Sequence, residues 1–448
     1  MAWSKSHAVA VILPVVAAFL IRLAAGAWWE ARVSDRFGFG DSDSYWRLAE
    51  TIRDGRPYEY GSPDARVFRT PGYPLVLAGW LSLWPNGEPP VYWARVLSAV
   101  CGAAASLAVY WLGRAIHSRF AGLVAAWLTA IHPEAIGLGV FVLSEAPFHP
   151  LLVLVVLYLV RAHQSAPLGL RSAAGFGALA GLSAGAGVLM RPSLLLFLPF
   201  TAVVVGAASL FSASSRTDRR RSLATAAAIY FASFVGLALV MAPWWIRNEI
   251  VVGKFVPTSL QVGVSLYDGL SPTATGASDL SFVPTMTKKF RDEWTRDGRP
   301  GVFEVELDRW FRDESLAWAN AHPARVAELA WIKCLRIWNV LPNEPGLSRG
   351  PLKIVVAIGL VSLLGLAVVG AWKLRGVGIA PRLLWLPAVY FTLLHMVFVG
   401  SLRYRQPALV VLTALAGAGV AELTGRRRED CTKSDATTDA AAAGASSA

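Results

Sequence analysis

Ten apolar stretches, each close to the roughly 20 residues needed to cross a bilayer, recur between Ala8 and Ala421. A hydrocarbon environment leaves backbone N–H and C=O groups no water to bond, and helices satisfy them locally. The expected fold is therefore an all-α polytopic membrane protein. The stretches are 8–29, 91–113, 120–140, 142–160, 172–190, 192–213, 222–246, 351–372, 383–400 and 404–423. The run 173–212 is nearly continuous, broken only at Met190-Arg191-Pro192. Only 16% of residues are charged against 55% apolar, where soluble domains carry about 25% charged. The organisation that follows is a first helix in 1–29, an outer loop in 30–90, helices two to seven in 91–246, an outer cap in 247–350, helices eight to ten in 351–423, and a disordered cytoplasmic tail in 424–448.

A formal charge of +12 invites a nucleic-acid reading, but its distribution argues against one. The cations sit in alternate short loops: Arg114 and Arg119; Arg161 and Arg171; Arg216 with Arg219, Arg220 and Arg221; Lys373, Arg375 and Arg382; and Arg426, Arg427 and Arg428. With ten spans, the positive-inside bias puts these loops and both termini in the cytoplasm, leaving 30–90 and 247–350 outside. The basic excess is topology information, and no nucleic-acid partner is expected. Cys101, Cys334 and Cys431 fall in three different compartments, which argues against an intramolecular disulfide. The first span, about 21 apolar residues containing Arg22, reads as a retained anchor and not a cleaved signal.

Within the first outer segment, Tyr45, Leu48, Ala49 and Ile52 have helical spacing over 43–53. Residues 74–84 are apolar, too short to span, and bounded by prolines, as expected of an interfacial helix with Trp80 and Trp84 at headgroup depth. In the cap, 303–320 has one apolar face from Phe303, Leu307, Trp310 and Phe311, and a second helical pattern runs from Val326 to Trp338.

Polar residues at the outer edge are the candidates for chemistry. Asp41 and Asp43 follow the first span, although Asp is also an ordinary helix cap, a role that suits Asp43. Glu145 lies at the edge of the fourth span, where a carboxylate is costly unless it faces a polar cavity. Arg69, Arg191, Arg247, Arg403 and Arg405 come from separate segments predicted at one depth, a pattern suited to an anionic headgroup, since guanidinium binds phosphate bidentately. The bland alternative is that interfacial arginines snorkel. His132 and His149 raise the possible case of a divalent metal with Glu145 or an aspartate, but no HExxH or comparable spacing supports it. No nucleotide-binding motif is present in the sequence, so a cytosolic nucleotide donor is not expected.

These residues resemble a family: the polyprenyl-phosphate-sugar-dependent glycosyltransferases of the GT-C fold, in the branch of the protein mannosyltransferases and aminoarabinose transferases. The resemblance rests on six short motifs in order. They are Asp41-Ser42-Asp43-Ser44-Tyr45; Arg69-Thr70-Pro71-Gly72-Tyr73-Pro74; Ser144-Glu145; Arg191-Pro192; Pro243-Trp244-Trp245-Ile246-Arg247-Asn248; and Arg403-Tyr404-Arg405-Gln406-Pro407. It implies that Asp41 is the catalytic base, with Asp43 and Glu145 as further catalytic candidates. Arg69, Arg191, Arg247, Arg403 and Arg405 are then donor-phosphate ligands, and Tyr45, Tyr73, Trp244 and Tyr404 substrate contacts. The chain departs from several relatives at Ser42, where they carry glutamate, which leaves the part of Asp43 open.

The expected activity is inverting transfer of a sugar from a polyprenyl-phosphate donor to a glycan, lipid or protein acceptor on the outer face of the cytoplasmic membrane. A transporter or flippase of lipid-linked sugars is the alternative. It would call for midplane polar groups and internal repeats, and the sequence has neither clearly. A non-catalytic scaffold is the third reading, with the arginines as anchors.

Overall fold

The computed structural model describes residues 5–33, 37, 40–85, 87–212, 215–342, 350–426 and 428; most of the expected tail, Cys431 included, lies outside them. Eighteen α-helices make up the described chain. Those of the membrane body are α1 (Lys5–Glu30), α4 (Val91–Ile116), α5 (Arg119–Ile131), α6 (Pro133–Leu138), α7 (Glu145–Ser165), α8 (Leu170–Met190), α9 (Phe197–Ser212), α10 (Arg216–Val252), α15 (Gly350–Lys373), α16 (Ala380–Leu383), α17 (Leu386–Val397) and α18 (Gln406–Leu423). Six more lie in the two long connections: α2 (Gly40–Arg53), α3 (Gly72–Leu81), α11 (Val262–Gly269), α12 (Val283–Arg296), α13 (Phe303–Ala321) and α14 (Pro323–Ile337).

Among the described residues nine helices, not ten, are long and apolar enough to cross a membrane. The expected span 120–140 is the exception. It breaks after Ile131 because His132 turns extended ahead of Pro133, which suits the first turn of a new helix and not the interior of an old one. The chain nevertheless travels the full distance there. At one end of α4, His117 and Ser118 lead straight into α5; at the other, Arg95 Nε donates to Val140 O at 2.8 Å. Residues 119–140 therefore run from one end of α4 to the other as a broken helix. At 37 residues α10 overshoots in the opposite sense, about 55 Å long against about 30 Å of hydrocarbon, so its last turns stand clear of the membrane body.

The body is organised around α18, almost all of whose residues from Gln406 to Ala421 are buried. Small residues let its neighbours approach: a Cβ on Gly417 would lie 2.3 Å from Ala121 O of α5. Several polar groups at this depth are paired. Thr129 and Thr413 share a hydrogen bond at 3.0 Å, and Arg22 donates to Ala18 O, Thr129 O and Ala130 O. Both expected interfacial helices of the first long connection are present, α2 starting three residues earlier than its periodicity marks. The two helical patterns of the second, over 303–320 and from Val326 to Trp338, are α13 and α14.

Candidate functional site

Five charged side chains converge at one end of the body, each delivered by the end of an element. Asp41 lies in the first turn of α2, which opens at Gly40, and its carbonyl accepts from Ser44 Oγ at 2.8 Å. Arg69 comes just before α3. Pro71 caps that helix, and a Cβ on Gly72 would sit 2.6 Å from the Leu189 backbone, so only glycine lets α3 close onto the end of α8. Arg191 is the C-cap of α8, Glu145 opens α7, and Arg403 lies in the 3-10 turn Leu402–Arg405 ahead of α18.

The ion pairs form a chain. Arg69 Nη2 donates to Asp41 Oδ1 at 2.6 Å, and Arg403 Nη1 donates to Asp41 Oδ2 at 2.7 Å. Arg403 also reaches Glu145 through Nε, and Arg191 pairs with the same carboxylate. Three guanidiniums thus face two carboxylates, a surplus of one positive charge. The two acids differ in access. The Glu145 side chain is 2% exposed, whereas that of Asp41 is 25% exposed, so Asp41 is the carboxylate an incoming group can meet.

Aromatic side chains wall the cluster. Arg69 lies over the Tyr45 ring, which meets Tyr73 edge-on, and Arg191 lies between Phe148 and Tyr404. The Tyr45 hydroxyl shares a hydrogen bond with Ser144 Oγ at 3.1 Å. His395 stacks on Tyr404 with ring centres 3.8 Å apart. Burial pushes the Asp41 carboxyl upward, but the Arg69 and Arg403 guanidiniums outweigh it and hold the group well below the ordinary carboxylate range.

Asp41, Glu145, Arg69, Arg191, Arg403, Tyr45, Tyr73 and Tyr404 are therefore brought together, and four expected members are not. Asp43 projects from a different face of α2, where it pairs with Arg47 at 2.9 Å and accepts from the Tyr60 hydroxyl at 3.0 Å. It lines an open recess of about 550 Å³ with Trp46, Glu50 and Arg56. Successive odd positions lie about 200° apart around a helix, which is why Asp41 and Asp43 part company.

Arg405, fully buried, donates to Glu134, Ile337 O and Asn339 O, and so staples α6 and the end of α14 to the head of α18. Arg247 donates to Arg66 O at 2.8 Å and Tyr58 O at 3.2 Å. Trp244 is buried with Nε1 donating to Thr258 O at 2.6 Å. These three hold structure together at a distance from the acids.

Sequence reasoning passed over His395, Tyr58 and Glu134 as members of these networks. His395 carries no motif, and Glu134 beside a proline looks like a helix start. The side chains that could meet a divalent metal here are few. Glu145 is committed to two arginines, and among the described residues no three His, Cys, Asp or Glu side chains form a group that suits one.

The architecture is GT-C-like. A family model described as dolichyl-phosphate-mannose-protein mannosyltransferase matches residues 80–255, which include Glu145, Arg191 and Arg247. The matched part is under half of the chain and excludes Asp41, Arg69 and Arg403. Among solved structures, the Archaeoglobus fulgidus oligosaccharyltransferase AglB in complex with an inhibitory peptide and a dolichol-phosphate is similar over 93% of this chain, with TM-score 0.59 and 16% identity. The same archaeal enzyme tethered to an acceptor peptide gives TM-score 0.55 at 17% identity. This chain covers 50% of that enzyme's length in both. ArnT from Cupriavidus metallidurans bound to undecaprenyl phosphate matches at TM-score 0.42 and 16% identity, over 92% of this chain and 78% of that one. No curated protein matches the sequence. What these matches show is the fold of a multi-pass membrane protein.

Proposed function

We propose that this protein is an inverting glycosyltransferase that moves a sugar from a polyprenyl-phosphate donor to an acceptor hydroxyl or amine at the membrane edge. The observation that carries the reading is the cationic surplus of the Arg69, Arg191 and Arg403 cluster around one accessible carboxylate. A polyprenyl phosphate sugar is a diester with one negative charge, which that surplus balances. When the acceptor attacks the anomeric carbon, the bond from that carbon to the phosphate oxygen breaks, and its electron pair leaves with the phosphate. The phosphate gains a second negative charge at that moment, and fixed guanidiniums stabilise it without reorganising. The acceptor proton goes to Asp41.

A carboxylate held by two arginines is a weak base, so the order of events matters. A donor phosphate that engages Arg69 and Arg403 loosens their hold on Asp41 and restores its basicity, so donor binding arms the base. Glu145, sealed between Arg191 and Arg403, keeps those two cations in place. No metal takes part in this reading.

The arrangement of charge also supports an orientation. The cluster lies at the ends of α7, α8 and α18 opposite to the loops rich in arginine, and the positive-inside bias favours both termini in the cytoplasm and the site on the far face of a cytoplasmic membrane. Acceptors are a glycan, lipid or protein presented there.

The test is transfer of radiolabelled sugar from polyprenyl phosphate donors to membrane acceptors, with purified wild type against Asp41→Asn. Label moved by the wild type alone is the expected result. Equal transfer by both would remove Asp41 from its role, and no transfer from any donor would count against the activity.

A further inference from the structure

Of the four buried charged residues on the cap helices, Asp268, Glu304, Asp308 and Lys333, two are bonded to main chain shortly before an arginine of the cluster, Glu304 before Arg69 and Lys333 before Arg403. Glu304, in the first turn of α13, accepts from the Arg66 N–H at 2.9 Å and the Val67 N–H at 3.0 Å. The same short stretch is gripped from two more directions. Leu260 N donates to Val67 O at 2.9 Å, and Arg247 donates to Arg66 O. Arg69 follows two residues later, its carbonyl accepting from the Tyr58 hydroxyl at 3.2 Å.

Lys333, in α14, is the counterpart on the other side. It is fully buried, and its ammonium donates to Gly269 O at 2.9 Å, Val397 O at 2.8 Å and Met396 O at 3.3 Å. It thereby caps the ends of α11 and α17 with a cation, where the helix dipole favours one. A turn further along α14, Arg336 donates to Gly400 O at 3.2 Å, and a Cβ on Gly400 would lie 2.6 Å from Lys333 O. Arg403 follows this stretch by three residues.

We propose that Glu304 and Lys333 are positioning residues through which the cap sets Arg69 and Arg403 against Asp41; the inference rests on the donor-site reading above. Neither side chain touches the reacting atoms. Each fixes the main chain from which a phosphate-binding arginine projects, and a site arginine displaced by an ångström loses the two-sided hold on Asp41. Opposite signs suit the two tasks: a carboxylate for paired N–H donors, an ammonium for converging carbonyls.

Titration supplies a signature that a merely structural contact lacks. Burial pushes Glu304 up to about 7, against the pull of the two N–H groups and of Arg247 and Arg66, the charged groups that face it. As pH falls through that value the carboxyl gains a proton, and one of its two oxygens turns from acceptor to donor. Burial lowers Lys333 to about 8, opposed by Asp268, the charged group that faces it. As pH rises through that value the ammonium loses a proton and one of its bonds. Both clamps are complete only between the two values.

The experiment measures undecaprenyl phosphate affinity of the full-length detergent-solubilised protein from pH 5.5 to 9.5, together with donor KM and kcat. Wild type is compared with Glu304→Gln, Lys333→Met and Arg69→Ala. Expected is a loss of about 3- to 30-fold in affinity for the two cap variants. The acid limb should be absent in Glu304→Gln and the alkaline limb absent in Lys333→Met, with each variant's other limb kept; comparison at equal pH cancels ionisation of the lipid itself. Folded cap variants with wild-type affinity and both limbs intact would overturn the inference while Arg69→Ala still loses binding. Should Arg69→Ala bind like wild type, the donor site itself fails. If a cap variant does not fold, the wild-type donor KM still decides, because the diester donor has no second ionisation: a KM that is flat between pH 6 and 9 overturns the proposal.

Discussion

Arg403 and Arg405 stand two residues apart in one motif, yet they belong to different kinds of charge network. Arg405 faces Glu134 one to one, with both side chains almost wholly out of contact with solvent and the spare N–H groups spent on main-chain carbonyls. Arg403 is shared between Asp41 and Glu145 in a group where cations outnumber anions and one acid remains a quarter exposed. A balanced, sealed pair has no use for a ligand. An unbalanced, partly open one has both the charge and the access to bind an anion. The same residue type at the same membrane depth is scaffold in one case and candidate chemistry in the other, and charge balance with exposure tells them apart.

The sharpest way to break this comparison is at the acid the open cluster exposes. Asp41→Asn removes the proton acceptor but keeps its size, so transfer should fall by about 10²–10⁴-fold, as for loss of a positioned base, while the unfolding temperature stays close to wild type. Near-normal transfer would mean that the open cluster is as inert as the sealed one.

The sealed pair should behave in the opposite way. Arg405→Met leaves the Glu134 charge buried without its partner, which costs about 3–5 kcal/mol of stability, and combining it with Glu134→Gln should restore much of that. Thermal unfolding of the three proteins checks it. A stable Arg405→Met protein that lost lipid-phosphate binding would move Arg405 into the site. Arg69→Ala, by contrast, removes charge-assisted bonds worth about 1.5–3 kcal/mol, or roughly 10- to 150-fold in undecaprenyl phosphate affinity, with little effect on unfolding.

What the sequence made legible follows the range of the forces involved. Spans were readable because hydrocarbon imposes a length and a composition on each segment separately, and α1, α4, α7, α8, α9, α10, α15 and α18 fall where those rules put them. The break at His132-Pro133 was missed because the hydropathy of 120–140 is continuous across it, although the proline was a local signal. Asp41, Arg69, Glu145, Arg191 and Arg403 were legible as edge charges with motif neighbours. Arg247 and Arg405 carried the same signal and differ only in partners supplied from elsewhere, Arg66 O and Tyr58 O for one and Glu134 for the other. Such pairings lie 181 to 271 residues apart in sequence, and no local pattern encodes them. Glu304 and Lys333 were invisible for the same reason, since their ligands are main-chain groups with no sequence identity.

The smallest effect separates two neighbours on one helix. Asp43 lies two residues from Asp41 but pairs with Arg47, whose side chain is 61% exposed, in an i,i+4 surface pair worth about 0.3–0.5 kcal/mol. Asp43→Asn keeps an oxygen for the Tyr60 hydroxyl and loses only this screened attraction. Transfer should therefore change by less than about threefold, and stability by less than about 1 kcal/mol. Donor and acceptor KM are the measurements that sharpen this. An unchanged donor KM with a raised acceptor KM would turn the recess beside Asp43 into part of the acceptor path. A fall in kcat near that of Asp41→Asn would show that the open cluster extends around α2, and that helical phase alone had not divided the two aspartates.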